Sequence, residues 1–254
     1  MKRIKRKNKL MTFLTHRNFF IKSLANYSLQ ILVGLGFFFL LQNCSKTIEP
    51  DGDRLGYNYF PLEIGKFVTW EIEEKNYTIL DSTTNIYQIK EVVVDTFTNL
   101  SGQRQYVLER YKRANINQSW QIDSVWSAIR TGSQAIKYEN NTPYIKLIFP
   151  TTNNQTWNGN AYNNYGEKTY KLVENKRTRK YGEITLPNTV KILMGNDSSL
   201  VTQVKREEVY ALGVGLAYMQ RINVRFKSDG PNLGKGIIES GKIEKFTIIE
   251  HGKE

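Results

Sequence analysis

The sequence predicts an all-β domain, a single antiparallel β-sandwich or barrel-like curved sheet of about ten strands, behind a signal-peptide helix and a flexible tether. Three observations lead there. From Tyr57 onward, short runs rich in Val, Ile, Thr, Tyr, Phe and Trp alternate apolar and polar positions, the period of a strand buried on one face. Turn pairs stand between the runs: Ser101-Gly102, Asn140-Asn141, Asn158-Gly159, Gly195-Asn196 and Asp229-Gly230. No stretch in this region sustains the 3.6-residue period of a capped amphipathic helix.

The chain opens with a different kind of segment. Residues 31–41, ILVGLGFFFLL, are eleven positions without a polar side chain. A membrane-crossing helix needs about 20 apolar residues, whereas the apolar part of a secretory signal has about 7–15. Eight Lys and Arg precede this run, with no Asp or Glu, and positive charge there keeps the N-terminus on the cytoplasmic side. Met1 and Met11 both fit as the start of such a signal. The formal charge of the chain is +12, and the eight cations of 1–43 leave +4 for the remainder. The basic character therefore belongs mainly to the leader, and nucleic-acid binding does not follow from it. Residues 44–56 are polar and contain Pro50, Gly52 and Gly56, as a tether to a domain of 57–254 would be. Cys44 is the single cysteine, so the domain's stability comes from its core and not from disulfides.

In the first strand Val68, Trp70 and Ile72 alternate with Thr69, Glu71 and Glu73. Further strand-like runs cover 86–97, 103–112, 119–130, 135–139, 144–149, 168–174, 183–194, 200–210, 216–226 and 236–250. The charged stretch 201–210 is the one place where a short helix is expected. Asp123-Ser124 is a turn candidate flanked by Trp120 and Trp126, and Trp157 stands among Asn and Gly. Gly213 and Gly215 mark a bulge or tight bend. Gly230 to Lys235 is a hairpin turn, because it is one residue short of a phosphate loop and Gly236 stands where Ser or Thr is required.

Leu41-Gln42-Asn43-Cys44 resembles a bacterial lipobox. The resemblance implies cleavage before Cys44, removal of 1–43, and a diacylglycerol on the Cys44 sulfur, usually with an acyl chain on the new amino group. Residues 59–70, YFPLEIGKFVTW, resemble the opening of many uncharacterised Bacteroidota lipoproteins. Residues 208–216, EVYALGVGL, resemble an element near the end of the same all-β domains, and Trp157-Asn158-Gly159-Asn160 lies between. These similarities span most of the chain after Cys44. They imply an envelope protein held at the outer membrane through acylated Cys44. Ser45 favours onward export, while Lys46 interrupts the acidic set Glu49, Asp51 and Asp53 and leaves the periplasmic and surface faces both open. In that lineage Asp81-Ser82-Thr83 and Asp123-Ser124-Val125 match an O-glycosylation pattern. The resemblance supplies no catalytic residues.

Chemistry-bearing motifs are few. The two histidines, His16 and His251, cannot build a multi-His metal site, and no internal His is present for a Ser-His or Cys-His mechanism. Neither G-x-S-x-G nor S-x-x-K occurs, and no cofactor or metal is expected. Glu71 and Glu73 stand about 7 Å apart on one strand face, opposite Trp70; a carboxylate-based hydrolase is the third-ranked reading. Lys176, Arg177, Arg179 and Lys180 form either an exposed edge that deters strand pairing or a contact for anionic headgroups. Trp120, Trp126 and Trp157 are either core or the lining of a sugar or lipid pocket. The leading expectation is a non-enzymatic binding or structural module whose partner is a glycan, a lipid or an envelope protein. The second is a periplasmic carrier or chaperone that binds a lipid or lipoprotein in a hydrophobic cavity.

Overall fold

The computed structural model describes residues 52–254. The leader, Cys44 and the tether as far as Asp51 lie outside the described residues. Twelve strands follow one another: β1 (Lys66–Tyr77), β2 (Ser82–Thr98), β3 (Arg104–Arg113), β4 (Gln121–Arg130), β5 (Gln134–Glu139), β6 (Thr142–Ile148), β7 (Thr156–Asn158), β8 (Thr169–Tyr181), β9 (Ile184–Ser198), β10 (Thr202–Ala211), β11 (Gly215–Phe226) and β12 (Ile238–Lys253). They form one antiparallel sheet in the order β6-β5-β4-β3-β2-β1-β12-β11-β10-β9-β8-β7. Nearly every neighbour in space is a neighbour in sequence; the exception is β1, which pairs with β12 along its length.

A sheet this wide coils under its own twist, and its outer strands β6 and β7 meet. The Ile145 N–H donates to the Gly159 carbonyl at 2.9 Å, and Trp157 Nε1 donates to the Ile145 carbonyl at 2.9 Å. Asn163 Nδ2 adds a bond to the Pro143 carbonyl at 2.8 Å. The result is a nearly closed barrel. Ion pairs lie on the outer face: Glu73 meets Lys75 and Lys245, and Glu207 meets Lys191 and Lys205, while Ile86, Ile122, Val125 and Val204 are exposed on their strands.

One end of the barrel is plugged. Gly52–Leu55 makes one helical turn and Tyr57–Tyr59 a 3-10 turn, after which Tyr59, Phe60 and Leu62 are buried in the main core with Leu108, Leu147 and Tyr210. Arg130 Nη1 donates to the Tyr57 and Phe60 carbonyls, both at 3.0 Å. Tyr57 OH donates to Gly132 O at 3.0 Å, and the Gly213 N–H donates to Asn58 O at 2.7 Å. The plug is thus fastened to the β4–β5 and β10–β11 turns. A second core lies around Trp70, Ile72, Leu186, Phe246 and Ile248. The β8–β9 hairpin contributes Leu186 to it, and Tyr181 of the same hairpin stacks on Tyr218 at 5.5 Å.

Three expectations are overturned. Gly195-Asn196 is not a turn; both residues lie inside β9, paired with Arg206 and Lys205 of β10 beside a register shift that passes over Met194. Residues 201–210 are not helical; Val201 ends a turn and 202–210 belong to β10, where their charges find partners across and along the sheet. Asp123-Ser124 is not a turn but lies inside β4, where Ser124 pairs with Arg110 and Asp123 is passed over by a register shift. The eleven strand-like runs of the sequence all form strands, and β7, only three residues long, is the twelfth, a strand through its pairing with β8.

Candidate functional site

Alternation sends one side chain in two into the barrel, and several of those are charged. Glu91 sits on β2 between Ile89 and Val93, two buried residues of the same parity. Across from it stands Arg110 of β3. On β10, Glu207 faces out to its two lysines, while Glu208 faces in with 1% of its side chain exposed. The Asn140-Asn141 turn, with φ of 49° and 63°, has the paired left-handed geometry of a tight hairpin. It folds β5 onto β6 and places Lys137 and Glu139 on the interior face beside Tyr144 and Thr142. A register shift at Ala135/Ile136 leaves Lys146 as the extra residue of β6; the bulge turns this lysine inward, where 3% of its side chain is exposed.

These residues wall a cavity of about 420 Å³, within the range of small-molecule sites, roughly 300–1,000 Å³. One part of the wall is apolar: Phe60, Leu62, Trp70, Leu216, Met219 and Phe246. The other is charged, and the cavity reaches Asn140 and Tyr165, both exposed, in the turns at the end opposite the plug. Trp126 is held between two cations, with the Arg110 guanidinium 3.8 Å and the Lys137 ammonium 5.1 Å from its ring centre. Its Nε1 donates to Asn140 Oδ1 at 3.1 Å.

Two ion-pair groups share the charged wall. In the first, Lys137 Nζ meets Glu91 at 2.6 Å and Arg110 Nε approaches it at 3.4 Å. In the second, Lys146 Nζ bridges Glu139 at 2.6 Å and Glu208 at 3.1 Å. Glu208 also accepts from Arg206 at 2.7 Å and from Tyr210 OH at 2.6 Å. Burial pushes the Glu139 carboxyl up, but Lys146, Arg206 and Lys137 outweigh it and hold the group at about 2. Burial is likewise opposed at Glu208 by Lys146, Arg206 and the Tyr210 hydrogen bond, and the carboxyl stays well below its usual range. Burial draws the Lys146 ammonium down against the pull of both glutamates, and burial and the Glu208 charge push the Tyr210 phenol well up. Both carboxylates are therefore fixed as anions and hold no proton to give.

Of the three tryptophans singled out by sequence, only Trp126 lines the cavity. Trp157 serves the barrel seam. Trp120 stacks under Arg113 at 4.1 Å beside Tyr111 and Val92, away from the interior. The basic cluster lies on the β8–β9 hairpin: Arg179 pairs with Glu174 and Lys180 with Glu183, while Lys176 and Arg177 are exposed. Glu71 is exposed on the outer face and Glu73 is ion-paired there, neither near the cavity. The charged wall itself was not singled out. Its signal in the sequence is a charge at a position of core parity, as in Ile89-Lys90-Glu91-Val92-Val93; Lys146 gives no such signal, because a bulge sets its direction.

No protein-family model matches the chain, and no curated protein sequence does. Solved structures do share similarity. One is a candidate exported protein with a YmcC-like fold from Bacteroides fragilis, at 13% identity and a TM-score of 0.40, covering 76% of this chain and 98% of that one. A candidate lipoprotein from Parabacteroides distasonis gives 13% identity, a TM-score of 0.31 and the same coverages. A candidate outer membrane lipoprotein-sorting protein domain from Vibrio parahaemolyticus gives 8% identity and a TM-score of 0.18, covering 76% of this chain and 87% of that one. No TM-score reaches 0.5, and the function of this chain does not rest on these likenesses.

Proposed function

We propose that this protein is a non-enzymatic binding module of the bacterial cell envelope, anchored at the outer membrane through acylated Cys44, that holds a small ligand inside its barrel. The observation that carries the reading is the interior cavity, with one apolar wall and one wall of ion-paired charge. A barrel built only for stability would fill this space with hydrocarbon, since a buried ion pair stabilises no better than well-packed apolar residues of the same volume. A hydrolase is disfavoured by the same geometry. Glu139 and Glu208 are held in salt bridges as anions, and a general acid needs a proton at working pH.

The test is mass spectrometry of the full chain released from its native membrane, with small molecules identified after denaturation. The expected result is a stoichiometric ligand that is lost on Met219→Trp, which fills the cavity, while circular dichroism shows the fold retained. Equal recovery from both proteins, or none from either, sinks the reading. The anchor is tested separately: Cys44→Ala abolishes metabolic acyl labelling and leaves the precursor unprocessed, and persistent labelling overturns it.

A further inference from the structure

We infer that the ligand is a single-chain amphipathic anion, its carboxylate or phosphate head on Arg110 and Arg221 and its apolar part along Trp70, Met219 and Phe246. This inference rests on the reading of the cavity as a binding site and adds the class of molecule bound.

The charge of the wall comes first. Five cations line the cavity, Lys66, Arg110, Lys137, Lys146 and Arg221, against three carboxylates, Glu91, Glu139 and Glu208. Lys66 is occupied by the Gly213 carbonyl at 2.6 Å, Lys137 by Glu91, and Lys146 by two glutamates. The two arginines are the least satisfied. The Nε atoms of Arg110 and Arg221 are both buried without a hydrogen-bond partner. Arg110 keeps only a 3.4 Å approach to Glu91, and Arg221 a 3.8 Å approach to Glu244. Buried N–H groups of a cation are costly unless they meet an acceptor, and the planar guanidinium fork suits carboxylate and phosphate. Stacking on Trp126 holds the Arg110 fork flat without using its N–H edge.

The other half of the wall sets the rest of the ligand. Trp70 is fixed by its Nε1 bond to the Leu216 carbonyl at 2.9 Å and lies edge-on to Phe246 at 6.4 Å. Met219 beside them is unbranched and adapts to irregular apolar shapes. A purely ionic ligand leaves this surface unused, and a purely apolar one leaves the arginines unpaired. A ligand with one slender apolar chain and one anionic head meets both.

Native mass spectrometry of the full chain in a non-ionic detergent tests this with four probes: dodecanoate, dodecyl phosphate, dodecanol and inorganic phosphate. The expected result is one dodecanoate or dodecyl phosphate per chain, bound at least tenfold more tightly than dodecanol or inorganic phosphate, and weakened about tenfold by Arg221→Gln and by Arg110→Gln. Arg221 lies near the mouth with 37% of its side chain exposed, so its variant serves if the Arg110 variant fails to fold. The preferred anion tells a fatty-acid-like ligand from a single-chain phosphate ester. Equal binding of dodecanol, or unchanged affinity in a folded Arg221→Gln, overturns the anionic head; equal binding of inorganic phosphate overturns the apolar part. If neither anion binds but a different molecule co-purifies in a Met219-dependent way, the class is wrong and the binding function stands. If nothing binds or co-purifies, both fall.

Discussion

Glu208 shows what a single side chain inside this barrel costs and does. It holds Lys146, Arg206 and Tyr210 at once with almost no contact with water. Removing one partner of a buried ion pair strands the others and typically costs about 3–5 kcal/mol. Glu208→Gln keeps the shape and some hydrogen bonding, so a loss of about 3 kcal/mol in denaturant melts is expected. Lys146→Met combined with Glu208→Leu should recover part of it; a double variant that loses the sum of both single effects would show that the pair is not coupled. The pH dependence has a definite sign. Glu139 and Glu208 lie below the usual carboxylate value of 4.5 in the folded chain, so their stabilisation is complete above that pH. It is lost as pH falls from about 4.5 toward the Glu139 value of about 2. Thermal melts from pH 7 to pH 3 should be flat at first and then drop, and Glu208→Gln should flatten the drop. Residues of this kind were only half legible: Glu91 and Glu208 share parity with core neighbours, but a charge at such a position reads as an outward face until the partner strand supplies the opposite charge.

At the scale of the element, bulges and turns decide more than propensity does. The Asn140-Asn141 turn was readable because two consecutive left-handed residues favour Asn or Gly. β10 was not, because Lys205, Arg206, Glu207 and Glu208 have the charge mixture of a helix surface. Their partners are Lys191 on β9, Lys146 on β6 and one another two residues apart, which only a strand arranges. The seam between β6 and β7 is the element most sensitive to a small change. A Cβ on Gly159 would stand 2.1 Å from the Tyr170 ring, and the Gly159 carbonyl is the acceptor that closes the barrel. Gly159→Ala should cost about 1–3 kcal/mol through overpacking, and hydrogen exchange at the Ile145 amide should accelerate more than at amides of β1. Equal acceleration throughout would mean that the seam is no weaker than the rest.

For the whole molecule, period-two patterning gave the all-β class but could not choose between a sandwich and a barrel, since both bury one face of each strand. That choice rests on pairings distant in sequence: β1 with β12, and β6 with the residues after β7. The plug was equally hidden. Residues 52–56 read as tether because they are polar and glycine-containing, yet the Leu55 carbonyl accepts the Thr151 N–H at 3.2 Å and Gly56, at φ 84°, packs against the Thr151 side chain. Arg130→Ala removes both bonds that Nη1 makes to the plug. Limited proteolysis of this variant should cut within residues 52–62 before any strand, with a stability loss of about 1–3 kcal/mol; first cleavage inside a strand would argue against a separately fastened plug. Its position has a consequence for traffic. Residues 52–62 stopper one end of the barrel, and the lip at Asn140 and Tyr165 lies at the other. If the barrel binds as proposed, the lip is the ligand's door in both directions, because the plug stoppers the other end.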